Sequence, residues 1–151
     1  MNFEKMVSNQ TTVHTLKKAA QSGKLSHAYL LHGTVGTGKK TLAHIFSEAI
    51  LCRGLAEKPC GECLPCKKAE KEIHPDIMIV RKPEGKSGIL VEQVRQLRQD
   101  VYTRPNESDY RIVIIEESET MNLSAANALL KVLEEPPPYL VFILTANNIS
   151  A

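Results

Sequence analysis

Apolar positions along the chain change their period several times, and each change marks a boundary between elements. Val13, Leu16, Ala19 and Ala20 recur at helical spacing, and Gly23 follows as a stop. Residues 28–31 form a short apolar run of the kind a buried strand makes. A glycine-rich turn over residues 33–38 leads into a second helical stripe carried by Leu42, Ile45, Phe46, Ala49 and Ile50. Residues 67–73 suit a short helix, which the restriction that Pro75 places on His74 should end. Residues 77–80 read as a second strand, 82–88 as a polar loop, and Val94, Leu97 and Val101 as a further helical stripe. The strongest strand signal is at 111–115, where Ile112, Val113, Ile114 and Ile115 are consecutive and β-branched. Leu129, Leu130 and Leu133 place a helix that Ser124 can cap and that Pro136, Pro137 and Pro138 must stop. A fourth apolar strand follows at 141–144. Strands alternating with helices predict an α/β domain, a parallel sheet with helices on both faces.

A chain of 151 residues fits one domain. Its 42% hydrophobic content is enough for a core and, with 24% charged residues, excludes disordered and fibrous classes. It has no run of about 18 apolar residues, and residues 1–10 lack the apolar centre of a signal peptide. A soluble cytoplasmic protein is therefore expected, with no membrane contact. The net charge of +2 is too small to argue for nucleic acid on its own, although the first ninety or so residues lean basic and the remainder acidic.

The glycine turn carries specific chemistry. Gly33-Thr34-Val35-Gly36-Thr37-Gly38-Lys39 fits the phosphate-loop (Walker A) pattern through its lysine. Glycines let backbone N–H groups turn inward around phosphate oxygens, the next helix presents its positive end, and Lys39 supplies a cation to the terminal phosphates. ATP or ADP is the expected ligand. The next position departs from the pattern: Lys40 stands where a Ser or Thr hydroxyl would meet Mg²⁺, and Thr41 comes one residue late, rotated by about 100° around a helix. The strand at 111–115 runs straight into Glu116 and Glu117, the Walker B layout in which a first acid holds Mg²⁺ and a second polarises water. Glu116 replaces the usual Asp. Both departures bear on magnesium, so nucleotide binding with little hydrolysis is expected, with Mg²⁺ doubtful as a cofactor.

All four cysteines lie in one segment, Cys52-x₇-Cys60-x₂-Cys63-x₂-Cys66. Four thiolates can close a tetrahedral zinc shell and leave no position for water, which predicts a structural zinc module over residues 52–66. Gly61 and Pro65 suit the sharp turns such a module needs. Arg53, Lys58, Lys67 and Lys68 flank it, a cluster more often a solvated face than a nucleic-acid site.

Together these segments resemble bacterial DNA polymerase III clamp-loader subunits. The resemblance is carried by Ser26-His27-Ala28-Tyr29-Leu30 before the phosphate loop, by the four-cysteine insertion after its helix, and by residues 124–137, SAANALLKVLEEPP. It implies a P-loop NTPase fold of the AAA+ kind, with Asn147 as a polar sensor of the terminal phosphate and residues 7–10 lining an adenine pocket. It also implies a hetero-pentamer with gamma/tau and delta subunits that opens the sliding clamp and places it on primed DNA. His74-Pro75-Asp76 and residues 89–95, ILVEQVR, together with Lys40 and Glu116, resemble the delta prime branch more closely than the ATP-hydrolysing gamma/tau branch. Family members continue into a fifth strand, a Ser-Arg-Cys motif, a lid and a collar. Residues 1–151 are accordingly expected to be an N-terminal AAA+ core, a fragment of a longer protein.

Overall fold

The computed structural model describes residue 3 and residues 10–147. The elements run α1 (Gln10–Ser22), β1 (Ala28–Gly33), α2 (Lys39–Leu51), α3 (Leu64–Glu70), β2 (Ile77–Val80), α4 (Val91–Asp100), β3 (Arg111–Ile115), a 3₁₀ turn (Ser118–Thr120), α5 (Leu123–Glu134) and β4 (Leu140–Asn147). The four strands form one sheet in the order β1-β4-β3-β2, with every pair parallel. Parallel neighbours need crossover connections, and the helices between the strands supply them.

The alternation along each strand sorts its side chains onto two buried faces. Leu31, Ile112, Ile114, Val141 and Ile143 pack against α1 and α2, where Tyr29 meets Phe46 edge-on at 4.9 Å. Val80, Val113, Ile115, Leu140 and Phe142 pack against α4 and α5 through Val94, Leu97, Leu129 and Val132. The expected sheet with helices on both faces is what forms. Every residue of β3 is buried, which accounts for its unbroken apolar run. No helix among the described residues is long and apolar enough to cross a membrane.

Several local expectations change. The α5 cap is Asn122, whose Oδ1 accepts from the Ala125 N–H at 2.8 Å, and not Ser124. The buried face of α5 is Ala125, Ala128, Leu129 and Val132, whereas Leu130 is exposed. The helix expected at 67–73 begins three residues earlier, because Pro65 sits in its first turn, where the missing N–H costs nothing. Pro65 thus starts a helix and makes no sharp turn. Glu72, in the left-handed region at φ 59°, closes α3 before Pro75 can act. β4 is longer than the apolar run at 141–144 and carries the chain to Asn147, level with Gly33 of β1. Gly88 passes so close to the 3₁₀ turn that a Cβ there would lie 2.2 Å from the Thr120 carbonyl oxygen.

Candidate functional site

All four strands point their carboxyl ends to one edge, the edge where ligands of open parallel sheets bind. There β1 feeds the glycine loop and α2. Gly36 (φ 84°) and Gly38 (φ 81°) take left-handed backbone that a side chain would strain. Gly38 is the residue before α2 and no side chain caps that helix, so its first N–H groups keep their donor capacity for an anion. Lys39 folds back over the loop. Its Nζ donates to the carbonyls of Thr34 (2.6 Å) and Gly33 (3.1 Å) and reaches Thr37 Oγ1 at 3.3 Å. A cleft of about 220 Å³ opens beside it, lined by Val35, Gly36, Gly38, Lys39, Lys40, Thr41, Glu117, Thr145 and Asn147. The cleft has room for phosphate groups.

Most of the residues picked out by spacing meet in this cleft, while Gly33, Thr34 and Thr37 form the loop behind Lys39. Glu117 adopts a left-handed backbone (φ 53°), and its N–H donates to Thr145 Oγ1 at 3.0 Å. Lys40 and Lys82 each stand 3.4 Å from a Glu117 carboxylate oxygen. Asn147 lines the cleft from the end of β4, its backbone N–H held by Glu119 Oε1 at 3.1 Å. Of residues 7–10, read as an adenine pocket, residues 7–9 lie outside the described residues.

Glu116 stands apart from this group. It borders a second cleft, of about 290 Å³, with His44, Glu72 and Arg81. Its Oε2 meets His44 Nε2 at 2.9 Å and its Oε1 accepts from Arg81 Nε at 2.9 Å, with only 5% of the residue exposed. Burial alone would raise its pKa, but His44 and Arg81 outweigh that and pull it down to about 2. Arg81 also grips Glu72 with both terminal nitrogens, at 2.6 and 3.1 Å, and this holds the Glu72 carboxyl below its usual range.

Magnesium, which phosphate loops ordinarily take with their nucleotide, does not fit these side chains. The usual hydroxyl is replaced by the Lys40 ammonium, Glu116 has both oxygens engaged, and Glu117 lies between two lysines. Thr145, Lys82, Arg81, Glu72 and His44 all escaped the sequence reading. Arg81, directly after the apolar run at 77–80, and Thr145, directly after that at 141–144, stood where a strand end could have pointed to them.

The four cysteine sulfurs lie within 4.8 Å of one another. Cys63 and Cys52 are 3.9 Å apart, and Cys60 and Cys66 are 4.0 Å apart. A tetrahedron with metal–sulfur bonds of about 2.3 Å has edges of about 3.8 Å. Backbone N–H groups of Gly54 and Cys60 point at Cys52 Sγ, and those of Glu62 and Cys63 point at Cys60 Sγ. The Cys63 and Glu62 N–H groups pull the Cys60 thiol down to about 6, while burial pushes Cys52 and Cys66 up. Four cysteine sulfurs gathered this closely could hold a metal ion, and the donor set suits a metal such as zinc. Gly54 passes close to the cluster: a Cβ there would lie 3.0 Å from Cys60 Cβ and 3.3 Å from two sulfurs, so a side chain would crowd it. Two of the flanking bases are already engaged: Arg53 donates to the Glu107 carbonyl, and Lys68 meets both Glu107 carboxylate oxygens at 2.8 Å.

Asp76 anchors the far end of the sheet. Its wholly buried carboxylate accepts from the N–H groups of Asn106, Glu107 and Ser108 and from Ser108 Oγ. Burial opposes the charge, but these donors outweigh it and keep the acid below its usual range.

A parallel sheet whose first strand ends in a glycine loop at a helix N-terminus, with acids at the end of a central strand, defines a P-loop-type α/β core. The chain belongs to the family described as DNA polymerase III, delta subunit, which matches residues 8–151. It is 40% identical over 124 residues to a DNA polymerase III delta' subunit of Pseudomonas aeruginosa, covering 82% of this chain and 38% of that protein. It is 37% identical over 147 residues to a tau subunit of Bacillus subtilis, covering 97% of this chain and 26% of that one. Among solved structures, a gamma subunit-related protein of Thermotoga maritima superposes with a TM-score of 0.65 at 24% identity, over 89% of this chain and 38% of that one, and so shares the fold. The chain thus spans about two fifths or less of the length of these relatives.

Proposed function

We propose that residues 1–151 are the nucleotide-binding-type core of a clamp-loader subunit of the delta prime kind, with the zinc module at 52–66 inserted after the phosphate-loop helix. In this reading the subunit acts as a stator in a cytoplasmic hetero-pentamer with gamma/tau and delta subunits, helping to load the sliding clamp onto primed DNA. The loop of Gly33, Thr34, Gly36, Thr37, Gly38 and Lys39 takes the phosphates of ATP or ADP. Lys40 and Thr41 border them, and Asn147 senses the terminal phosphate. Glu116 and Glu117 hold the positions of catalytic acids without doing their work, and Cys52, Cys60, Cys63 and Cys66 hold a structural zinc.

One observation carries the proposal: every oxygen of the two acids is already matched by a cationic or histidine partner of the chain itself. An acid so engaged is a poorer ligand for a divalent ion and a weaker base towards water. The gamma/tau reading keeps one point in its favour, since the tau match runs over nearly the whole chain where the delta' match covers 82%. Steady-state ATP hydrolysis by the full-length protein, alone and reassembled with its partner subunits, separates the two. We expect a rate far below that of a motor subunit in the same assay, and a comparable rate would overturn the stator assignment.

A further inference from the structure

We propose that Arg81 is a resident cation that holds Glu116 in place of a divalent metal, and that Glu72 positions it there. This deepens the magnesium-poor reading of the adjoining cleft, yet it rests on geometry of its own. Arg81 is the first residue after β2, and Glu116 is the first after the neighbouring β3. Its guanidinium spends Nε on Glu116 and both terminal nitrogens on Glu72, so three of its five donors bind two carboxylates at once. His44 closes the far side, with Nε2 at 2.9 Å from Glu116 and Nδ1 at 3.9 Å from Glu72. Two carboxylates and an imidazole around one positive centre would suit a small divalent ion if the guanidinium were gone.

Backbone strain points the same way. Among the described residues, the two non-glycine positions with left-handed backbone are Glu72, in this cluster, and Glu117, next to Glu116 in the chain. Such backbone costs about 1 kcal/mol or more and persists where the surroundings fix it. At Glu72 it turns the chain out of α3, the helix that carries Cys66, so that the carboxylate faces Arg81. α3 thus links the cysteine segment to Glu72, Glu72 meets Arg81, and Arg81 meets Glu116. Lysine could not replace Arg81, because a single ammonium cannot span both acids with fixed, forked donors.

The test uses the zinc-loaded chain, Mn²⁺ as the probe and no nucleotide, so its outcome is separate from whether the phosphate loop binds one. Arg81 is about half exposed, and Arg81→Met removes the charge while keeping much of the stem. Mn²⁺ binding is followed by electron paramagnetic resonance, and thermal unfolding is recorded with and without Mn²⁺. We expect Arg81→Met to bind one Mn²⁺ at least ten-fold more tightly than the parent chain, and the gain to vanish when Glu116→Gln is added. If Arg81→Met unfolds by itself, Mn²⁺ should restore its melting transition. The proposal is overturned by a folded Arg81→Met chain with no gain in Mn²⁺ affinity, by an unfolded one that Mn²⁺ does not rescue, or by a gain that survives Glu116→Gln.

Discussion

Replacing Glu116 with Gln separates an acid kept for metal from an acid locked into the fold. A metal-binding acid without its metal is a local excess of negative charge, and neutralising it leaves stability unchanged or raises it. Here the charge is buried and matched by His44 and Arg81, so removing it should cost stability. The magnitude follows from the acid's titration. Lowering a carboxyl from 4.5 to about 2 favours the folded state by about 3 kcal/mol at neutral pH, at about 1.4 kcal/mol per tenfold change. Glutamine can still accept one hydrogen bond, so a loss of about 2–3 kcal/mol is expected. Urea unfolding at pH 7 with zinc in excess measures it. The sign of the pH dependence follows as well. Because the folded-state pKa is depressed, the stabilisation is complete above the unfolded value near 4.5 and is lost as pH falls towards 2. The stability gap between the parent chain and Glu116→Gln should therefore narrow as pH falls below about 4.5. Because zinc loss in acid affects both proteins, the gap is the quantity to compare. A gap under about 0.5 kcal/mol at pH 7, or a more stable variant, would refute the clamp.

Three further outcomes follow from other parts of the molecule. Lys39→Met should weaken ATP or ADP binding by two orders of magnitude or more in equilibrium dialysis while leaving the melting temperature within a few degrees, because the ammonium serves the loop and the anion and not the core. The purified chain should carry one zinc per molecule by elemental analysis, and Cys66→Ser or a strong chelator should remove it and lower the melting temperature sharply, since Cys66 is wholly buried between α2 and the module. Asp76→Ala should cost about 3–5 kcal/mol in denaturant unfolding, because three backbone N–H groups and a hydroxyl lose a charged acceptor. A loss below about 1 kcal/mol would mean that the loop before β3 is held by something else.

The parts of the fold written in local patterns could be read from the sequence. The β-branched run at 111–115, the glycine loop and the cysteine spacing each carry their signal within about fifteen residues, and each lies where that signal put it. The parallel order of the sheet followed from strands alternating with helices. What escaped depends on partners brought together by crossovers. Arg81 meets Glu116 only because β2 and β3 are neighbours, and His44 meets it only because α2 lies across that face of the sheet. Nothing within either segment distinguishes a catalytic acid from an ion-paired one. Asp76 had looked like part of a family signature, and its work is to hold a loop about thirty residues away. The capping error at α5 has a smaller cause: Asn122 and Ser124 are both good caps, and the choice depends on where the 3₁₀ turn delivers the chain.

The most direct measurement of the central claim is the affinity of the full-length protein for ADP and ATP by isothermal titration, with millimolar Mg²⁺ and again with the metal chelated by EDTA at matched ionic strength. Chain-borne cations in the metal's place predict dissociation constants that agree within about three-fold. A ten-fold or greater loss of affinity on withdrawing Mg²⁺ would contradict the account.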